Sequence, residues 1–246
     1  MEPILEVRDL CVSYDGKPAL SDVSAQLAPQ RVCAIVGPSG CGKSTLVKSM
    51  NLLTDETPGA RVQGERLLRG RSMASIPVTE VRRRVGLVFQ TPTPFPFSIE
   101  RNLSQVMRLH GMRDRHQIEE RVVRLLETVG LYREVKGQIH KSARALSGGQ
   151  MQRLCIARAL AAEPEALLMD EPCSALDVRS TQVIEELIAS LKERYAVALV
   201  THNLAQARRL GDDALFLEEG RVVEAGPAAR VLHEPARPET RAFLML

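Results

Sequence analysis

Tryptophan is absent from this chain, and all aromatic residues together make up only 3% of it. Stacking of bases on aromatic platforms, a common grip on single-stranded nucleic acid, therefore has little to work with. No apolar run reaches the ~18 residues that mark a membrane-spanning helix, so the chain is not expected to cross a bilayer by itself. Met1 to Leu10 alternates charged and apolar residues and lacks the apolar centre of a secretion signal. The five cysteines, Cys11, Cys33, Cys41, Cys155 and Cys173, are odd in number and never spaced C-x-x-C. They read as reduced, cytosolic thiols used as small residues. A formal net charge of +3 is mild. Arg82, Arg83 and Arg84 form the densest basic run, too short for a nucleic-acid patch, and read as a solvated face. Internal repeats and low-complexity tracts are missing as well.

What is present is the composition of an ordinary globular protein: 246 residues, 44% hydrophobic and 26% charged. That length suits one large domain, or a core with a smaller subdomain. Apolar runs at Ile4–Leu10, Val32–Val36, Val85–Phe89, Ala166–Met169 and Ala196–Val200 predict strands, with a further β-rich stretch around Val62 and Leu67–Leu68. Tyr14 to Pro18 is turn-like. Helical spacing marks Ile99–Leu109, Gln117–Val129, a helix running from Gly148 to about Ala162, and Thr181–Lys192, with Gly130 as a stop signal. Alternating strands and helices imply an α/β core around a mainly parallel sheet. The stretch from Thr91 to Phe97 carries Pro92, Pro94 and Pro96, which excludes helix or central strand. From about residue 91 to 160 the chain reads as an inserted helical subdomain, leaving a core of about 1–90 and 161–246.

The segment Gly37-Pro38-Ser39-Gly40-Cys41-Gly42-Lys43-Ser44-Thr45 follows the Val32–Val36 strand and opens a segment that reads as helix from Leu46 to Leu53. Strand, glycine-rich loop and helix form a phosphate-binding loop. Backbone N–H groups of such a loop converge on an anion, and the helix behind it adds a partial positive charge. Lys43 supplies a full charge for the β- and γ-phosphates of a nucleoside triphosphate, and the Ser44 hydroxyl is placed for Mg²⁺. Cys41, inside the loop, is expected to be the thiol most prone to oxidation or alkylation. Asp170 and Glu171 end the Ala166 strand at the sheet edge where ligands bind in open α/β folds. Asp170 is expected to orient Mg²⁺, and Glu171 to polarise an attacking water.

Leu146-Ser147-Gly148-Gly149-Gln150, followed by Met151 to Leu160, resembles the signature motif of ATP-binding-cassette ATPases. The order Gly37–Thr45, Gln90, Leu146–Gln150, Asp170–Glu171, Ser174–Asp177 and His202 is that family's order, and the resemblance spans essentially the whole chain. It implies a P-loop NTPase (RecA-like) α/β core, an antiparallel β subdomain and an inserted helical subdomain. It implies that Tyr14 stacks on adenine, that Gln90 touches Mg²⁺ and the water, and that His202 holds the γ-phosphate and orients Glu171. Ser147, Gly148, Gly149 and Gln150 would cap the nucleotide of an opposite subunit, and Ser174–Asp177 would cross the dimer interface. The expected partners are a second copy of the chain in an ATP sandwich and two integral membrane permease subunits. A periplasmic or extracellular solute-binding protein would act indirectly, and nucleic acid is not expected. The expected place is the cytoplasmic face of the inner membrane.

Phe89 to Pro96, Pro58 to Glu65 and Cys173 in Asp170-Glu171-Pro172-Cys173-Ser174 further resemble the ATPases of bacterial inorganic phosphate importers. The segment from Phe216 to Leu246 and the short insert around Met112–His116 look like a generic importer ATPase instead. Importers of polar amino acids or other oxyanions, and a soluble cassette ATPase outside transport, remain the alternatives.

Overall fold

The computed structural model describes residues 2–245. In chain order its strands and helices are β1 (Leu5–Tyr14), β2 (Lys17–Leu27), β3 (Val32–Val36), α1 (Lys43–Met50), β4 (Ala60–Leu68), β5 (Arg71–Ser72), α2 (Val78–Arg84), β6 (Val85–Val88), α3 (Ile99–Leu109), α4 (Arg115–Thr128), α5 (Tyr132–Val135) and α6 (Gly148–Leu160). They continue with β7 (Ala166–Asp170), α7 (Val178–Leu191), β8 (Ala196–Val200), α8 (Leu204–Leu210), β9 (Asp213–Glu218), β10 (Arg221–Pro227), α9 (Ala228–His233) and α10 (Pro238–Leu244).

A six-stranded sheet runs β10-β9-β3-β8-β7-β6, and a four-stranded sheet runs β2-β1-β4-β5. In the first, only the β9–β10 pair is antiparallel; the second is antiparallel throughout. The parallel strands β3, β7 and β8 are buried along their whole length, because both faces of the sheet are covered. One apolar cluster joins β1 and β2 to α1 and one face of this sheet. A second joins the other face to α3, α4, α6 and α7, and a third sets α9 against β9. Among the described residues no helix is long and apolar enough to cross a membrane.

The expected elements are present with shifted ends. Helix α1 covers Lys43–Met50, starting directly at the loop, and ends before Leu52, which adopts φ 61°. Helix α7 begins at Val178 because the Asp177 side chain accepts the Ser180 N–H at 3.0 Å and caps it. Gly130 follows α4, its N–H donating to Glu127 O at 2.9 Å. Strand β1 continues past Leu10 to Tyr14, with register irregularities between Val7 and Leu10 that disturb the two-residue period.

The arginine run is not the solvated face the sequence suggests. Arg82 donates to Glu56 (2.8 Å) and to Leu52 O (3.0 Å), Arg83 pairs with Glu80, and Arg84 reaches Glu165 at 2.5 Å. Arg83 ties α2 to itself, while Arg82 and Arg84 tie it to distant segments that the linear sequence does not reveal.

Candidate active site

The loop between β3 and α1 is shaped by glycine. Gly37 has φ 151°, and a Cβ there would lie 2.0 Å from Leu217 O, so no side chain fits. Gly42 occupies the N-cap of α1 and offers no side-chain acceptor, which leaves the first N–H groups of the helix for a ligand. Lys43 is 6% exposed. Its Nζ donates to Gly37 O (2.8 Å) and Pro38 O (2.7 Å), drawing the loop around the ammonium. Cys41 does not fit the reactive role expected of it: it is buried, and burial raises its thiol pKa despite the neighbouring Lys43 charge. Low thiolate content and low access both oppose oxidation and alkylation.

Four segments meet along one edge of the sheet. The order β3-β8-β7-β6 sets the phosphate loop, Thr201–His202, Asp170–Glu171 and Gln90 side by side at the carboxyl ends of parallel strands. Ser44 Oγ donates to Asp170 Oδ1 at 2.9 Å. Burial raises the Asp170 pKa, opposed by the Ser44 hydrogen bond and by Lys48. Gln90 Nε2 donates to Glu171 Oε2 at 3.3 Å, and His202 Nδ1 lies 2.9 Å from the same oxygen. Glu171 itself has φ 46°, in the left-handed region, and is held there by its N–H to Val200 O at 3.0 Å. Such backbone strain at a non-glycine residue persists only where neighbours enforce it. Here it points the carboxylate at Gln90 and His202.

The family model described as ABC transporter matches residues 20–174. The chain belongs to the ABC transporter family. It is 44% identical over 246 residues to the phosphate import ATP-binding protein PstB of Thermotoga maritima, spanning 99% of this chain and 98% of that protein. It is 47% identical to phosphate import ATP-binding protein PstB 1 of Nitrosococcus oceani, over 98% of this chain and 89% of that protein. Among solved structures, cbiO1 from Clostridium perfringens, part of the ABC transporter complex cbiONQ, superposes with a TM-score of 0.81. That likeness has 27% sequence identity and covers 95% of this chain and 92% of the other. The P-loop NTPase fold of ABC ATPases, read from the motif order, is the fold of this chain.

The segment Ser147–Gln150, which resembles the family's signature motif, shares no hydrogen bond with Gln90, Glu171 or His202. Ser147 Oγ accepts the Gln150 N–H and Gln150 Oε1 accepts the Ser147 N–H, a reciprocal cap for α6. The Gln150 amide also donates to Glu134 at 2.8 Å. Gly148 faces Leu176, and a Cβ on Gly149 would lie 2.5 Å from Ser180 Oγ and 2.8 Å from its Cβ. We expect Gly149→Ala to cost about 1–3 kcal/mol through overpacking, read as a lowered melting temperature. Adding Ser180→Gly should recover only part of that loss: it removes both clashing atoms, but also the Ser180 Oγ bond to Asp177, and it leaves a glycine in α7. Tyr14 is half-buried at the end of β1, opposite Lys17 and Ala60, packed against the first apolar cluster.

The proline loop after Gln90 is anchored by residues that sequence reading passed over. Fully buried Asn102 accepts the Phe95 N–H (2.8 Å) and donates to Phe95 O (3.2 Å) and Ser98 O (2.9 Å). Arg158 stacks 4.3 Å over the Phe95 ring and donates to Thr93 O at 2.9 Å. An asparagine among apolar helix positions was the available signal. Phe89 and Phe95 stay exposed on the surface.

Proposed function

We propose that this chain is the ATP-hydrolysing subunit of an ABC importer for inorganic phosphate. The observation that carries the enzymatic part is the Glu171 carboxylate, approached by both Gln90 and His202 and one residue from the Ser44–Asp170 pair. The phosphate assignment rests on likeness, over nearly the full length, to two proteins named as phosphate import ATP-binding proteins. No residue of this chain is asked to recognise the transported anion.

In this reading Lys43 and the loop amides bind the triphosphate of ATP. The hard oxygens of Ser44 and Asp170, with Gln90, suit Mg²⁺, which keeps few protein ligands and takes others from phosphate and water. The buried Asp170 carboxylate, whose charge is costly to keep, fits the same ion. Among the described residues no cluster of three or more His, Cys, Asp or Glu forms a self-sufficient metal cage. When bound, Mg²⁺ would neutralise charge on the phosphate oxygens. Glu171 would accept a proton from the attacking water, and His202 would orient Glu171 and the γ-phosphate. Lys43 and the loop amides would stabilise the charge of the in-line transition state.

Two copies would sandwich two ATP molecules, each phosphate loop facing the partner's Ser147–Gln150, with Ser174–Asp177 at the interface and Tyr14 against adenine. The helical segment of about 91–160 would serve as the arm that carries the signature and, with the anchored proline loop, as the face for two permease subunits. Exposed Phe89 and Phe95 on a loop fixed by Asn102 and Arg158 suit such a docking face. A solute-binding protein outside the membrane would deliver phosphate, placing this chain on the cytoplasmic face.

The test is uptake of labelled orthophosphate in phosphate-starved source cells carrying chromosomal Glu171→Gln. We expect loss of high-affinity phosphate uptake with uptake of other solutes intact. Unchanged phosphate uptake, with the purified wild-type ATPase active, would reassign the solute.

A further inference from the structure

Helices α7 and α8 leave the two loops that the reaction depends on. Helix α7 begins after Ser174–Asp177, and α8 begins two residues after His202. Between them lies a polar contact that the mechanism above does not use. Glu185, on α7, is 8% exposed. Its Oε1 accepts from Gln206 Nε2 at 3.0 Å, and Arg209 Nη2 approaches both its carboxylate oxygens at 2.6 and 2.5 Å. Gln206, on α8, is 2% exposed. Its backbone N–H donates to Asn203 Oδ1 at 3.1 Å, and the Asn203 N–H donates to Thr201 Oγ1 at 3.0 Å. His202 therefore sits in a backbone turn whose far side is bolted through Gln206 to Glu185. Glu171, His202, Glu185, Gln206 and Arg209 line one groove of about 840 Å³.

A carboxylate this buried is costly unless it is paired and hydrogen-bonded. For stability alone, an apolar residue at this α7 position would serve as well. We infer that Glu185 is a positioning residue for hydrolysis: through Gln206 in the first turn of α8 and Arg209 near its end it fixes α8 against α7, and so holds His202 against Glu171. It thereby joins the Ser174–Asp177 loop to the His202 loop as one body. Misplacing a catalytic group by about 1 Å costs as much as 10²-fold, so a loosened His202 has a measurable price in turnover. This inference rests on the roles proposed above for Glu171 and His202.

The experiment uses the purified full-length chain. In Glu185→Ala we expect kcat for ATP to fall about tenfold, with KM for ATP within about twofold of wild type, since the phosphate loop is untouched. Glu185→Gln, which keeps an acceptor for both partners, should recover part of the loss. Arg209 is mostly exposed on its side chain, so Arg209→Gln should fold even where Glu185→Ala does not; it should lower kcat in the same way and add little to Glu185→Ala. The ring ¹⁵N resonances of His202 should move in every variant that loses turnover. Unchanged kcat in both Glu185→Ala and Arg209→Gln would overturn the inference, as would a loss of kcat with His202 resonances unmoved. Glu171→Gln measured in parallel separates the layers. If that variant is inactive while the clamp variants are normal, only the positioning role falls. If it turns over normally, both fall.

Discussion

Replacing Glu171 by glutamine should lower ATP turnover by about 10²–10⁴-fold, the usual contribution of a positioned general base, while leaving ATP affinity within a few-fold of wild type. Glutamine has nearly the same shape, so the left-handed backbone at position 171 and its N–H bond to Val200 O need not change. What is lost is the negative oxygen that faces Gln90 at 3.3 Å and His202 at 2.9 Å. The groups assigned to binding, Lys43 and the Ser44–Asp170 pair, are untouched. ATP should then accumulate unhydrolysed and hold the sandwich dimer together. Phosphate release, equilibrium nucleotide binding and size-exclusion chromatography with ATP present read these outcomes separately. Near-normal turnover would remove Glu171 from the role of base.

The second large effect is on binding. Lys43→Ala should weaken ATP affinity by about 10²-fold, since a hydrogen bond to a charged group is worth about 1.5–3 kcal/mol. Lys43 acts twice: its ammonium is the full charge available to the phosphates, and it gathers the Gly37 and Pro38 carbonyls. Lys43→Arg should not restore binding. A planar fork does not replace a compact ammonium enclosed by the loop, and the position is almost fully buried. The fold should survive both changes, because the apolar contacts of α1 come from Leu46, Val47 and Met50. Calorimetric titration with ATP, alongside thermal melting, checks this. Wild-type affinity in Lys43→Ala would contradict the phosphate-binding role, and a lost fold would make Lys43 structural.

Legibility in the sequence followed the range of each interaction. The phosphate loop was readable because its parts are consecutive: a buried strand, glycines, lysine, serine and a helix start. Asp170–Glu171 was readable because a run of apolar residues ends abruptly in two carboxylates. Ser147 and Gln150 were readable as part of a motif, and their reciprocal cap spans only three positions. Strand β2 was missed: its apolar residues are interspersed with polar ones, and its pairing with β1 shifts register. Cys41 was misjudged because its position in a loop suggested access, whereas the folded loop buries it. The arginine run was misjudged for the opposite reason. Its partners Glu56 and Glu165 are far away in sequence, and nothing local announces them.

The sequence by itself determined which residues are candidates for the chemistry and on which kind of element each sits. Those are properties of short segments: local propensity, apolar period and the chemistry of neighbouring side chains. The tertiary structure decided which of those residues meet. Strand order β3-β8-β7-β6 depends on pairing between distant segments, and that order puts Ser44 within 2.9 Å of Asp170 across 126 positions. It also brings Gln90 and His202 onto one oxygen of Glu171. The Glu185–Gln206–Arg209 clamp has the same origin. Two helices that each look ordinary in isolation bury their polar side chains against one another only once the sheet has fixed their spacing.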